Sequence, residues 1–162
     1  MITICQYERQ YHNDVVQMIL QIQREEYHLP ITAKDQPDLD QIETFYQSAD
    51  GNFWVAADEG AVVGTVGVKS IGNGNAILRK MFVKREYRGK ELGVSYGLLT
   101  CSLKWLKRKR FTDLYLGTTP QFTRAHRFYE KNGFEEIGRE ELPLGFPIMQ
   151  VDKKFYRCSL VS

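Results

Sequence analysis

Residues 83–94 read Val-Lys-Arg-Glu-Tyr-Arg-Gly-Lys-Glu-Leu-Gly-Val, and their flanks restrict what this chain can fold into. Ahead of the segment, Ile77, Met81 and Val83 follow an apolar strand pattern. Behind it, Leu92, Tyr96, Leu99, Leu103 and Leu106 recur at spacings of four and three, the period of a helix over 91–109. A strand that turns at once into a helix aims unpaired backbone N–H groups and a positive helix end at one point. That is a ready phosphate site. Arg88 and Lys90 add positive charge there, and the N–H groups of Gly89 through Val94 would form the cradle. Glu91 is expected to face solvent from the first helical turn, where a helix end favours a carboxylate.

The rest of the chain supplies a mixed architecture. Residues 2–7 alternate as a strand, and Asn13 is placed to cap a helix carrying Val15, Val16, Ile19, Leu20 and Ile22. Pro30 and Pro37 mark a loop over 28–40, and a short helix is expected over 40–47. Three strands follow, at 53–58, 61–70 and 75–83, joined by Glu59-Gly60 and Gly72-Asn73-Gly74 turns that suit hairpins. After the long helix come a buried strand at 114–117, a helix at 122–131 stopped by Asn132-Gly133, and strands at 134–139 and 149–160. This order predicts an α+β sandwich around one mixed sheet of about seven strands with about four helices. A length of 162 residues suits one domain, 1–162.

Charge and cysteine usage exclude several classes. The formal net charge is +2, so no global field draws the chain to nucleic acid or membrane. The basic run 104–110 closes a helix, where cations offset the negative end. Glu8, Arg9 and Asp14 leave no room for a secretory segment at the start, and no apolar run is long enough to span a bilayer. Cys5, Cys101 and Cys158 form no metal or redox pattern and read as small core hydrophobes in a cytoplasmic protein. His12, His28 and His126 lack metal-ligand spacing and are expected at the surface or in caps, so no metal is expected.

Two motifs carry a resemblance. Arg88 and Gly93 match the first and last positions of Arg/Gln-x-x-Gly-x-Gly/Ala, with Glu91 at the middle glycine. Residues 125–134, Ala-His-Arg-Phe-Tyr-Glu-Lys-Asn-Gly-Phe, match Ala-x-x-Phe-Tyr-Glu-Lys-x-Gly-Phe. The chain resembles the GNAT family, the GCN5-related N-acetyltransferases, in both motifs and in element order over nearly its whole length. The 35–39 and 142–152 segments resemble a bacterial subgroup of that family without a settled substrate.

The resemblance implies a three-layer GNAT sandwich and acetyl transfer from acetyl-CoA, the acyl-donor substrate, to a primary amine of a small molecule or peptide. It implies that Met81, Phe82 and Val83 pair with the pantetheine arm at a bulge in the fourth strand. Arg88, Gly89, Lys90, Leu92, Gly93 and Val94 would hold the pyrophosphate. Lys84, Arg85 or Arg124 would meet the 3′-phosphate. It assigns Tyr129 to protonate the departing thiolate, and Glu25 or Glu26 to take the amine's proton, although two adjacent glutamates equally fit a solvated helix face. Phe122 stands where the family often has an asparagine on the pantetheine arm. Tyr27, Trp54, Arg79 and Phe146, with Met149, are the candidates to meet the acceptor, with core packing the alternative for Trp54. Phe128 belongs on the core face of its helix. Many family members dimerise, so a homodimer stays open. A non-catalytic acyl-CoA-binding module is the rival function.

Overall fold

The computed structural model describes residues 1–48 and 50–161. In chain order the elements are β1 (Ile2–Gln6), α1 (His12–Glu25), the single turn α2 (Pro37–Asp40), β2 (Gly51–Asp58), β3 (Ala61–Gly72), β4 (Asn75–Val83), α3 (Val94–Arg108), β5 (Asp113–Thr118), α4 (Thr123–Lys131), β6 (Glu135–Ile137) and β7 (Lys154–Ser159). Glu43–Gln47 form a π-helical turn. The strands make one seven-stranded sheet in the order β1-β2-β3-β4-β5-β7-β6. β4 and β5 are parallel, while β1–β2, β2–β3, β5–β7 and β6–β7 are antiparallel. This is the mixed sheet that the element order predicts. Among the described residues no helix is long and apolar enough to cross a membrane.

The chain divides into two compact units, Met1–Lys69 with Arg79–Lys104, and Ser70–Leu78 with Trp105–Ser162. In the first unit, α1 buries Val15, Met18, Ile19 and Ile22 along one stripe, together with Gln23. They join Tyr7, Leu39, Ile42, Tyr46 and Phe53 in one core. Val15 and Ile19 are fully covered, and each such burial contributes about 1.5–3 kcal/mol. Asn13 does not cap α1. A 3₁₀ turn at Arg9–Tyr11 runs straight into the helix, so Asn13 lies inside its first turn.

The α3 pattern has the predicted period and a different phase. The buried residues are Val94, Leu98, Leu99, Ser102 and Leu106, whereas Leu92 and Tyr96 are exposed. Two facts account for this. Ser102 is buried because its hydroxyl donates to the Leu99 carbonyl at 2.7 Å, which satisfies it inside the helix. A Cβ on Gly97 would stand 2.5 Å from Ile4 Cδ1, so the helix approaches β1 on that side. The helix also starts at Val94 rather than 91.

In the second unit, β5 pairs with β4 over Asn75–Ile77 and with β7 over its whole length. β7 lies between β5 and β6. The two final strands are shorter than predicted, at Glu135–Ile137 and Lys154–Ser159. Met149 and Val151 instead sit exposed in a loop, where the Met149 N–H donates to Asp152.

Candidate active site

The turn before α3 is built to leave backbone donors open. Arg85–Tyr87 form a 3₁₀ turn, and the Tyr87 hydroxyl donates to Asp58 Oδ2 at 2.6 Å, tethering the turn to the end of β2. Gly89 has φ +110° and Gly93 has φ +65°, a region that side chains rarely adopt. No atom lies within 4 Å of where a Cβ would stand on either. Gly97 N–H donates to the Gly93 carbonyl at 2.9 Å, so the N–H groups of Val94, Ser95 and Tyr96 precede the helical ladder. This open, left-handed backbone at a helix start fits a pyrophosphate.

Gly89, Lys90, Glu91 and Leu92 are exposed. Val94 is fully buried, so only its backbone can serve a ligand. Glu91 faces outward as expected, but it lies before the helix and gains nothing from a first-turn position.

Arg88 has a partner that the motif did not reveal. Its Nη1 lies 2.7 Å from Glu26 Oε1, and its Nε donates to the Val83 carbonyl at 2.8 Å. The two side chains are 21% and 17% exposed, so water screens the pair less than it would a surface pair. Arg85 Nη2 lies 3.8 Å from the same oxygen. Glu25 is exposed.

β4 carries the expected irregularity at Lys80, whose φ is +55° in mid-strand. Thr65 Oγ1 donates to the Lys80 carbonyl at 2.7 Å and holds this kink. The Lys80 ammonium is buried. It donates to Gln36 Oε1 at 2.8 Å and lies 3.7 Å from Asp38 Oδ2. The Tyr46 hydroxyl donates to the same Asp38 oxygen at 2.6 Å, while Gln23 and Gln36 exchange two amide hydrogen bonds of 2.9 Å. Burial pushes the Lys80 ammonium down, against the pull of Asp38, and pushes the Tyr46 phenol well up. This satisfied network sets where Met81, Phe82 and Val83 begin.

The acceptor candidates separate. Trp54 is 4% exposed, which fits the core-packing alternative. Tyr27 is half-buried with its ring 6.5 Å from Phe82, and burial raises its phenol. Arg79 is half-buried beside Phe45. A polar surface cleft lined by Tyr7, Arg9, His12, Asp40 and Glu43 contains none of the candidate residues.

In the second unit, α4 buries His126 and Tyr129 rather than Phe128, which is half-buried. Tyr129 packs against Phe134, Tyr156 and Phe128 with ring centroids at 5.3, 6.1 and 5.8 Å. His126 is neither a surface nor a capping residue. Its Nε2 donates to the Thr119 carbonyl at 2.9 Å from a buried position. The Tyr156 hydroxyl donates to Glu130 at 2.7 Å, and burial with this bond holds its phenol far above the usual range. Phe146 meets Phe155 edge-on at 5.9 Å, and Met149 is exposed. Cys158 is buried, whereas Cys5 and Cys101 are only half-buried.

The sequence profile of the Acetyltransferase (GNAT) family matches residues 16–134. The chain belongs to the GNAT family. A GNAT acetyltransferase from Staphylococcus aureus MU50 is 38% identical and superposes with a TM-score of 0.93 over 99% of this chain and 100% of that one. The paia N-acetyltransferase of Thermoplasma acidophilum, solved with coenzyme A, shares the GNAT fold at a TM-score of 0.77 and 18% identity over 98% of this chain and 99% of that one. N-acetylaspartate synthetase of Xenopus tropicalis is 37% identical over 103 residues, 62% of this chain and 37% of that protein. The chain thus spans less than half the length of that relative.

Against the GNAT motifs, sequence reasoning missed the Glu26–Arg88 pair and the Lys80 network. Asp38 and Lys80 stand forty-two positions apart, and no spacing rule links them. The one available signal was a lysine inside an apolar strand pattern.

Proposed function

We propose that residues 1–162 form one acetyltransferase domain that transfers the acetyl group of acetyl-CoA to a primary amine of a small molecule or peptide. The observation that carries this reading is the open glycine turn before α3, in a chain of the GNAT family. The N–H groups from Gly89 to Tyr96 would take the pyrophosphate, with Lys90 supplying exposed charge. Arg88 would join them by exchanging its Glu26 partner for phosphate oxygens.

Acetyl-CoA brings the activated acyl group, and the residues of this chain align and stabilise it. Met81, Phe82 and Val83 would pair with the pantetheine arm as an added strand. The Val83 carbonyl already accepts from Arg88 Nε, so Met81 and Phe82 supply the remaining backbone partners. An N–H of Met81 or Phe82 would meet the thioester oxygen as charge develops there. The amine nitrogen would form the new C–N bond as the C–S bond breaks, the Tyr129 hydroxyl would give its proton to the thiolate, and the proton that the nitrogen sheds on becoming an amide would restore the phenol. An alkyl ammonium titrates near ~10.4, so the acceptor must shed a proton first. We assign Glu26 to holding Arg88 and leave that proton to water. The cysteines, all unpaired, suit a reducing cytoplasm, where we place the reaction.

The test is release of CoA from acetyl-CoA in the presence of a broad amine panel, beside calorimetric binding of CoA. Turnover on at least one amine is expected. Tyr129→Phe should lower kcat at least tenfold with CoA affinity within about twofold. Tight CoA binding without release on any amine would make the protein an acyl-CoA-binding module.

A further inference from the structure

On neighbouring strands β3 and β4, two cations share one aromatic ring. Lys69 Nζ lies 3.6 Å from the Phe45 centroid, and the Arg79 guanidinium carbon lies 5.9 Å from it. An aromatic face attracts a cation without neutralising it. Among the described residues neither side chain has an ion pair or a hydrogen bond, so the donors of both stay available. Lys80, next along the strand, differs. It has Gln36 and Asp38, and Asp38 is further engaged by Tyr46. Among the described residues these three cations have one carboxylate partner, Asp38, which is paired with Lys80 and leaves Lys69 and Arg79 without a counterion. The Arg79 charge reaches inward: it opposes protonation of Lys80 and favours ionisation of Tyr46.

The position along β4 gives this charge a use. Arg79 precedes Met81 by two residues, at most ~7 Å of extended strand. Met81 and Phe82 supply the backbone assigned above to the thioester. An attacking amine must stand about 3–3.5 Å from the carbonyl carbon. A carboxylate two or three bonds from that amine is then within reach of a guanidinium, whose planar fork matches carboxylate oxygens in pairs. A second ammonium placed there would meet repulsion instead.

We propose that Arg79, with Lys69 beside it, selects acceptor amines that carry a carboxylate. The class comprises free amino acids and peptides with an acidic first residue, and it excludes polyamines. The inference rests on the acetyl-transfer reading above. Phe45 acts as a positioning residue that holds both cations without quenching them.

The experiment compares amine pairs that differ only in charge, an amino acid against its amide, together with putrescine. A peptide pair with aspartate or asparagine in first place separates peptide from free amino acid as the source of the carboxylate. The wild-type protein should give an acid-to-amide ratio of kcat/KM of at least tenfold in one of the two pairs, with putrescine poorer than either acid. Arg79→Gln should bring that ratio towards one, chiefly through KM, and Lys69→Gln should lower it less. An unchanged ratio in Arg79→Gln, or a preference for amide or polyamine in the wild type, would overturn the proposal. If no amine releases CoA, the transfer reading fails by itself. The carboxylate site is then read by calorimetric binding of an N-acetylated amino acid and of its amide in the presence of CoA. Preference for the acid that Arg79→Gln abolishes sustains it, and equal affinities in wild type and variant overturn it.

Discussion

Lys80 and Arg88 are two cations of the same unit, each facing a carboxylate, and their surroundings give them opposite work. The Lys80 and Asp38 side chains are 10% and 6% exposed and sit in a network that Tyr46, Gln36 and Gln23 complete. Arg88 and Glu26 are 21% and 17% exposed and lie beside a turn with open backbone donors. A buried charge without its partner is expensive, so the first pair stays closed. The second can trade one anion for another, because phosphate oxygens suit the same guanidinium. The contrast leaves Lys80 closed within its network, whereas Arg88 is the cation proposed above to meet the ligand.

The largest expected effect tests the closed pair. Asp38→Ala leaves the Lys80 ammonium buried without its carboxylate and should cost about 3–5 kcal/mol, read from urea unfolding. A loss below about 1 kcal/mol would erase the distinction between the two pairs.

Next comes the glycine turn proposed as the phosphate cradle. Gly93→Glu puts a side chain and a negative charge into the cradle and should weaken CoA binding at least tenfold, about 1.4 kcal/mol or more. Gly93→Ala separates backbone strain from charge and should lose less. Retained affinity in both variants would place the cradle elsewhere.

A smaller effect probes the exchangeable pair. Glu26→Gln frees Arg88, and CoA affinity should rise about two- to fivefold, the scale of a partly exposed ion pair. kcat should stay within about threefold. A drop of about 10²–10⁴ in kcat would make Glu26 the general base instead.

The smallest effect concerns the tether of the turn. The Tyr87 hydroxyl and the N-terminal ammonium hold the Asp58 carboxyl below its ordinary value. A depressed carboxylate stabilises the fold above its unfolded pKa, and that contribution is lost as pH falls through the folded one. Tyr87→Phe removes the larger cause and should flatten the acid limb of thermal stability while leaving neutral pH nearly unchanged. An unaltered acid limb would show that the turn is held by other contacts.

Much of the fold was legible, and the reason lies in local chemistry. Alternation marked β4 from Asn75 to Val83, and Asn132-Gly133 marked the stop of α4, because each signal depends on a few adjacent residues. The glycines at 89 and 93 pointed to the turn for the same reason. The phase of α3 was not legible. Leu92 and Tyr96 keep helical spacing with the true core positions, and only the approach of Gly97 to Ile4 and the internal bond of Ser102 select the buried face. His126 read as a surface residue because its partner, the Thr119 carbonyl, is presented by a turn that the sequence pattern does not describe.

By itself the sequence determined the class of fold, the family and the glycine turn before α3, since periodicity, glycine placement and two short motifs are properties of neighbouring residues. Tertiary structure alone decided that Glu26 meets Arg88, that Asp38 meets Lys80, and that Lys69 and Arg79 share the Phe45 ring. It also placed β7 between β5 and β6. Charge pairing and strand order depend on which distant segments the folded core brings together, and no local pattern records that.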